Sequence, residues 1–108
     1  MTDWTISPTE LKEILDRGER PLLLDVREPW EYDLARIEGS ILIPLREIAA
    51  RKDAIDPRAE TVILCHHGIR SMAALNYLRG QGFTKLKNLT GGIDAWSLHV
   101  DPKVPRYR

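Results

Sequence analysis

Two continuous apolar runs constrain the fold of this chain more than any other feature. The run 61–65 (Thr-Val-Ile-Leu-Cys) is rich in β-branched residues and uncharged, and the run 22–26 (Leu-Leu-Leu-Asp-Val) carries a single charge near its end. Strands that are covered by helices on both faces have this composition, because neither face needs polar side chains. Both runs therefore predict buried strands of a parallel sheet, with 61–65 as the best candidate for a central strand.

A helix is predicted directly after the first few residues. Ser7-Pro8-Thr9-Glu10 has the pattern of a capping box, and Pro8 suits the first helical position because its missing N–H has no intrahelical partner there. Leu11, Ile14 and Leu15 follow at the spacing of one helical face, and Gly18 is placed to end the helix in the left-handed region.

Similar helical patterns separate further short apolar runs along the chain. Weaker strands are predicted at 4–6, 41–43 and 83–89, the last nearer a sheet edge because Lys85 and Lys87 interrupt it. Helices are predicted from Pro29, around Ile48, over about 71–79 and from Ile93. This alternation predicts an α/β fold: a small, mainly parallel sheet of about five strands with helices on both faces.

Length, charge and cysteine count limit the classes of function. The 108 residues fit a single domain, with a core over about 4–98 and a tail over 99–108. Sixteen basic residues balance sixteen acidic ones, which argues against a nucleic-acid or membrane-surface partner. One cysteine permits no intrachain disulfide and favours a reducing compartment. With no apolar leader or membrane span in the sequence, a cytoplasmic location is expected.

A loop that follows the best strand carries the candidate chemistry. Cys65-His66-His67-Gly68-Ile69-Arg70-Ser71 joins the strand to a helix, and sites in open α/β sheets form at the carboxyl ends of strands. A tight loop at a helix N-terminus directs backbone N–H groups at one spot, which favours a thiolate there. His66, His67 and Arg70 can add positive charge, and Gly68 permits a turn that a side chain would obstruct.

Other interpretations of this cysteine are possible. On its position alone, Cys65 fits a small buried hydrophobe better than a nucleophile, and only the glycine, arginine and helix around it reverse that preference. A metal site formed by Cys65, His66 and His67 is disfavoured, because adjacent residues rarely direct their side chains at one ion and no second cysteine is present. No metal site is therefore predicted. His99 has no motif around it and is expected at the surface.

Three segments of the sequence have recognisable motifs: residues 23–32 (LLDVREPWEY), 65–71 (CHHGIRS) and 89–96 (LTGGIDAW). They resemble, respectively, the first signature, the active-site loop and the last signature of the rhodanese-like domains, a family that includes single-domain sulfurtransferases. They occur in the family's order and spacing, and the resemblance covers roughly 4–98. It implies the family fold, a small parallel sheet wrapped by helices.

The resemblance also implies roles for individual residues. Cys65 would take a sulfur atom from an anionic donor such as thiosulfate and pass it from a persulfide to cyanide, a thiol or an acceptor protein. The backbone at His66, His67, Gly68, Ile69 and Arg70 would cradle the persulfide. Arg70 would help to bind the donor, and Ser71 would either cap the helix or hydrogen-bond near the sulfur. The reaction needs no cofactor.

Positions that support the site are expected outside the loop. Asp25 and Arg27 match family positions near it. A structural role is the stronger expectation for them than a catalytic one, because a carboxylate just after a buried run commonly pairs with nearby backbone or arginine groups. Glu28, Glu31 and Tyr32 are expected to start a helix and pack at the surface. Ala35-Arg36 departs from the family's usual Gly-His, outside the cysteine loop. A shallow, open site with an exposed thiol is expected from so small a chain.

The sequence is compatible with four functions. A sulfurtransferase with small acceptors and a persulfide relay to a protein share the same loop chemistry. A non-catalytic binding module is disfavoured because Cys65 and Arg70 are both present. A phosphatase or arsenate-reductase-like enzyme is disfavoured because related phosphatases have a longer loop between cysteine and arginine, and because the chain has no second cysteine for resolution.

Overall fold

The computed structural model describes residues 4–108, and this part of the chain forms one parallel sheet with helices between the strands. The strands are β1 (Thr5–Ile6), β2 (Leu22–Asp25), β3 (Ile41–Leu42), β4 (Thr61–Leu64) and β5 (Leu86–Leu89). The helices are α1 (Pro8–Asp16), α2 (Pro29–Leu34), α3 (Ile48–Arg51), α4 (Ile69–Gly80) and α5 (Gly92–His99). Short 3-10 turns, Leu45–Glu47 and Lys52–Ala54, flank α3.

The sheet has five strands in the order β1-β5-β4-β2-β3, and every pair is parallel. The strand of the best apolar run, β4, is central: its Ile63 is in register with Leu24 of β2 and Asn88 of β5. The predicted fold is therefore confirmed. The strand predicted nearer an edge, β5, lies one position in from the edge, because the short β1 pairs with it on its outer side. It begins at Leu86, so Lys87 lies within it and Lys85 just before it.

Two apolar layers hold the helices against the sheet. Alternating residues of the central strands point to opposite faces, so Leu24 and Ile63 join one cluster while Leu23 and Val62 join the other. The first cluster includes Leu75 and Leu78 of α4. The second includes Leu11 of α1 and Ile93 and Trp96 of α5, so helices cover both faces as predicted.

The helix ends show how well local signals predict boundaries. The capping box is present, since the Ser7 hydroxyl accepts from the Glu10 N–H at 3.1 Å and the Glu10 carboxylate accepts from the Ser7 N–H at 2.9 Å. Gly18 has the predicted left-handed backbone, with φ of 88°. In contrast, α4 begins at Ile69, two residues before its predicted start, because Gly68 (φ 107°) turns the chain immediately after the cysteine.

The tail after α5 is folded against the rest of the molecule. Val104 is buried in the second apolar cluster, and its carbonyl accepts a hydrogen bond from the Ser97 hydroxyl. Tyr107 also packs beside this cluster, so the core continues beyond the predicted limit at residue 98. Across residues 4–108, the helices are all too short or too polar to cross a membrane.

Candidate active site

Cys65 lies at the carboxyl edge of the sheet, directly after the central strand β4. Its carbonyl accepts from the Ile93 N–H at 2.8 Å, and the carbonyl of His66 accepts from the Asp94 N–H at 3.1 Å. The first turn of α5 therefore holds the end of β4 through backbone hydrogen bonds. This contact joins two of the three sequence segments that carry the family resemblance.

Gly92 makes this close approach possible. Its φ is +64°, and a Cβ built on it would lie 2.4 Å from the carbonyl oxygens of both Cys65 and His66. No side chain fits at such a distance, so glycine is required here for space as well as for backbone conformation. The position of α5 over the cysteine loop depends on this residue.

The Cys65 sulfur faces a cradle of backbone donors. Sγ accepts hydrogen bonds from the Gly68 N–H at 3.1 Å and from the Ser71 N–H at 3.3 Å, and the Ser71 hydroxyl lies 3.3 Å away. These amides are at the N-terminal end of α4, where the helix dipole favours negative charge. Cys65 is only 1% exposed, so the expectation of an exposed thiol is wrong. The loop covers the sulfur because its amide groups surround it.

Ser71 has a different role from the capping alternative. The N-cap of α4 is Gly68, and Ser71 lies inside the first turn of the helix, fully buried. Its hydroxyl donates to the Asn88 side-chain oxygen at 2.5 Å and is next to the Cys65 sulfur. The capping interpretation is therefore wrong.

The two loop histidines form a stack at the rim of the site. The rings of His66 and His67 are 4.0 Å apart, and the ring of Tyr107 stacks on His66 at 4.0 Å from its other side. Burial, followed by the nearby His67, lowers the pKa of His66, so its ring is uncharged at neutral pH. His67 and Ile69 are largely exposed. Across residues 4–108, no three His, Cys, Asp or Glu side chains are grouped as metal ligands.

Arg70 is held by a buried carboxylate. Its guanidinium donates two hydrogen bonds of 2.7 Å to Glu31, and Glu31 is 3% exposed. Burial raises the pKa of Glu31, but hydrogen bonds from Arg70, the Glu28 backbone and Tyr107 outweigh that effect and lower it to about 2. Hydrogen bonding to Glu31 in turn raises the pKa of Arg70. The surface role expected for Glu31 is therefore wrong. The sequence contains no signal that α2 faces the cysteine loop.

Asp25 and Arg27 form a fully buried ion pair behind the loop. Arg27 Nε donates to the Asp25 carboxylate at 2.8 Å, and a terminal guanidinium nitrogen donates to it at 2.6 Å. Arg27 also donates to the carbonyls of Ala35 and Glu31 and to the Tyr107 hydroxyl. These contacts tie α2 and the tail to the end of β2.

The departure from the family's usual Gly-His has a local structural account. Ala35 is buried, and its carbonyl accepts from Arg27 at 2.6 Å. The guanidinium of Arg36 lies over the Tyr32 ring, 4.8 Å from its centroid. Neither contact involves a residue of the loop 65–71.

Two further residues at the site had no functional signal in the sequence. Tyr107, from the tail, donates to Glu31 at 2.8 Å and accepts from Arg27 at 2.8 Å, besides stacking on His66. Asn88, from β5, binds both Ser71 and the Gly68 carbonyl. Asn88 follows Lys87 in a strand with two polar positions, and Tyr107 lies in a tail without a helical pattern, so no local signal assigned either residue to the site.

Comparison with known proteins shows similarity over most of the chain. The family model for the rhodanese-like domain matches residues 7–99. An Arabidopsis thaliana protein, rhodanese-like/PpiC domain-containing protein 12, chloroplastic, is 44% identical over 89 residues, which are 79% of this chain and 30% of that protein. Bacillus subtilis YtwF, whose name assigns it to the sulfurtransferases, is 37% identical over 98 residues, 91% of this chain and 94% of that protein.

The fold has solved counterparts as well. The crystal structure of a rhodanese-related protein from Thermoplasma volcanium is 30% identical, with a TM-score of 0.79 and coverage of 94% of both chains. Many relatives are much longer than this chain, which spans roughly a quarter to a third of the first relatives that it matches. The similarity to those proteins therefore concerns one of their parts.

Proposed function

This chain belongs to the rhodanese-like domain family, and we propose that it is a sulfurtransferase that carries sulfane sulfur as a persulfide on Cys65. The observation that carries the proposal is the convergence of the Gly68 and Ser71 amides on the cysteine sulfur. Amides in this arrangement stabilise a thiolate, which is the nucleophilic form of cysteine. The name of YtwF supports the same class of reaction.

The first half-reaction loads the sulfur. The Cys65 thiolate attacks the outer sulfur of thiosulfate, and a new S–S bond forms while the sulfur–sulfur bond of thiosulfate breaks. Sulfite leaves with the electron pair of the broken bond, and Cys65 is left as a persulfide. The backbone donors of the loop hold the negative charge of this group. Arg70 keeps its charge throughout, since its pKa is raised, and it favours an anionic donor at the loop.

The second half-reaction discharges the sulfur. A nucleophile such as cyanide or a thiolate attacks the outer sulfur of the persulfide, and the S–S bond to Cys65 breaks. The electron pair of that bond returns to Cys65 as thiolate, so the resting state is restored without a cofactor. Asp25 and Arg27 act behind the loop by fixing α2, which carries the partner of Arg70. We also propose that the 108 residues act as one domain.

Intact-protein mass spectrometry tests this proposal. The native chain is incubated with thiosulfate, freed of small molecules and then treated with cyanide, with Cys65→Ser as the matched control. We expect the native chain to gain one sulfur atom that cyanide removes, and the variant to gain none.

The outcomes separate the remaining possibilities. A sulfur that loads but resists cyanide would favour transfer to an acceptor protein over small acceptors. If neither thiosulfate nor an organic persulfide loads sulfur on the native chain, the sulfurtransferase proposal fails.

A further inference from the structure

Asn88 fixes the direction of a short hydrogen-bond chain that ends at the cysteine. It is 5% exposed, and its side-chain nitrogen donates to the Gly68 carbonyl at 3.1 Å. A carbonyl oxygen only accepts, so the amide NH₂ must face Gly68 and the amide oxygen must face Ser71. The orientation of the Asn88 amide is thus set by the loop backbone.

The Ser71 hydroxyl is oriented in turn by Asn88. The amide oxygen of Asn88 only accepts, and it lies 2.5 Å from the Ser71 Oγ, so the single hydroxyl proton is donated to Asn88. The same Oγ lies 3.3 Å from the Cys65 sulfur. With its proton already in use, Ser71 presents a lone pair to the sulfur and can only accept from it.

We propose that Asn88 is a positioning residue that holds the Ser71 hydroxyl proton away from Cys65, so that Ser71 accepts the thiol proton in the resting protein. The thiolate is then stabilised by the Gly68 and Ser71 amides and not by the Ser71 hydroxyl. This inference deepens the proposed function, because the group that it concerns is the proposed nucleophile. The hydroxyl would donate to the sulfur only if its bond to Asn88 were given up.

The charged and titratable groups near the loop are the same in every variant needed for a test. Of these, Arg70 interacts electrostatically with Cys65, and its charge is paired with Glu31. The other titratable groups around the loop are His66, His67, Asp94 and Tyr107. A change in thiol ionisation between Asn88 and Ser71 variants therefore reports the hydroxyl and not a change in nearby charge.

The experiment is a titration of the Cys65 thiolate by its ultraviolet absorbance. Cys65 is the only cysteine, and subtraction of the Cys65→Ser titration removes the tyrosine signal. Asn88→Leu has a similar volume without hydrogen-bonding groups, and it frees the Ser71 proton to donate to the thiolate. We expect the midpoint of the titration to fall by about one pH unit, as one charge-assisted hydrogen bond provides. Asn76→Leu, at an exposed position on α4, is the matched control and should leave the midpoint unchanged.

A second variant tests the sign with Asn88 and the rest of β5 left unsubstituted. Ser71→Ala removes an acceptor of the thiol proton, so the midpoint of the Cys65 titration should stay at its native value or fall. Ser71→Thr keeps a hydroxyl and should have the native midpoint. A rise in Ser71→Ala would show that the hydroxyl donates to the thiolate and would overturn the proposal. In the Ser71→Ala background, Asn88→Leu should cause no further fall of the titration midpoint. An equal fall in that background would overturn the proposal. The absence of a fall when Ser71 is present would overturn it as well.

The titration requires no sulfur transfer. If the chain loads no sulfur from any donor, the proposed function fails while the midpoints still decide the role of Asn88. If sulfur loads and the midpoints do not move as expected, only the role of Asn88 is rejected.

Discussion

The guanidinium of Arg70 and the carboxylate of Glu31 meet through two parallel hydrogen bonds of 2.7 Å, although the residues are 39 positions apart in the chain. The pair joins the first turn of α4 to α2. Bidentate pairs of this kind restrict both side chains, because two bonds fix the guanidinium plane. The cysteine loop is therefore anchored from outside by a residue of the first sequence signature.

Glu31→Gln is expected to loosen this anchor. Glutamine keeps the volume but replaces one acceptor oxygen by an NH₂ group, which faces the Arg70 donors without attraction. We expect the free energy of unfolding, measured by urea denaturation, to fall by about 1–3 kcal/mol. This is less than the cost of breaking a fully buried ion pair, because Arg70 is partly exposed. Glu28→Gln is the matched control: Glu28 pairs with Arg46 at the surface, and its loss should cost less than about 1 kcal/mol. Equal losses in the two variants would contradict the anchoring role.

The ionisation of Glu31 predicts a specific acid sensitivity. Its pKa is about 2 in the folded chain against an ordinary value of 4.5, so the ionised form stabilises the folded state. That stabilisation is complete above about pH 4.5 and is lost as the pH falls towards 2. Unfolding measured between these values should show a steep loss of stability in the native chain. In Glu31→Gln the loss should be shallower; an unchanged slope would contradict the assignment.

The fold was predictable because its signals are local. The apolar runs at β2 and β4, the capping box at Ser7 and the left-handed turn at Gly18 each depend on a few adjacent residues, and the alternation of strands and helices follows from them. The helix boundary at Ile69 was not predictable in this way, since the turn at Gly68 is stabilised by contacts with Cys65 and Asn88.

The candidate site was predictable only where it is continuous in sequence. The loop 65–71 could be identified from its own residues, but its buried partners come from α2, β5 and the tail. Glu31 lies in a segment that resembles an ordinary helix start, and Tyr107 follows two prolines in a segment without helical pattern. Long-range pairing of this kind leaves no periodic signal, which is why these residues could not be assigned to the site from sequence alone.

Gly92→Ala is expected to separate α5 from the cysteine loop. The added methyl would overlap the carbonyls of Cys65 and His66, and its backbone would be strained at φ of +64°. We expect a loss of about 3 kcal/mol in unfolding free energy together with reduced sulfur loading, measured by denaturation and intact mass. Gly80→Ala is the matched control, because that position in α4 has open space around it and no positive φ. The control should be neutral or more stable by up to about 1 kcal/mol; a comparable loss there would contradict a specific role for Gly92.

Tyr107 provides a test of the contact between the tail and the site. Burial raises its pKa to about 12, so one of the three tyrosines should ionise late in an absorbance titration of the folded chain. Because the folded pKa lies above the ordinary value of 10, protonated Tyr107 stabilises the fold below that pH, and the effect is lost as the pH rises towards 12. In Tyr107→Phe the late transition should disappear.

Comparison of two substitutions distinguishes the contribution of the Tyr107 hydroxyl from that of its ring. Tyr107→Phe keeps the stack on His66 but leaves Arg27 and Glu31 each without one hydrogen-bond partner, and we expect it to cost about 1–2 kcal/mol. Tyr107→Ala also removes the ring that covers His66, so Cys65 should react with peroxide faster than in the native chain, as measured by the mass of its oxidised forms. Tyr77→Phe, on α4, is the matched control and should change neither quantity. If the alanine variant is oxidised at the native rate, the tail does not shield the thiol, and its contacts serve stability alone.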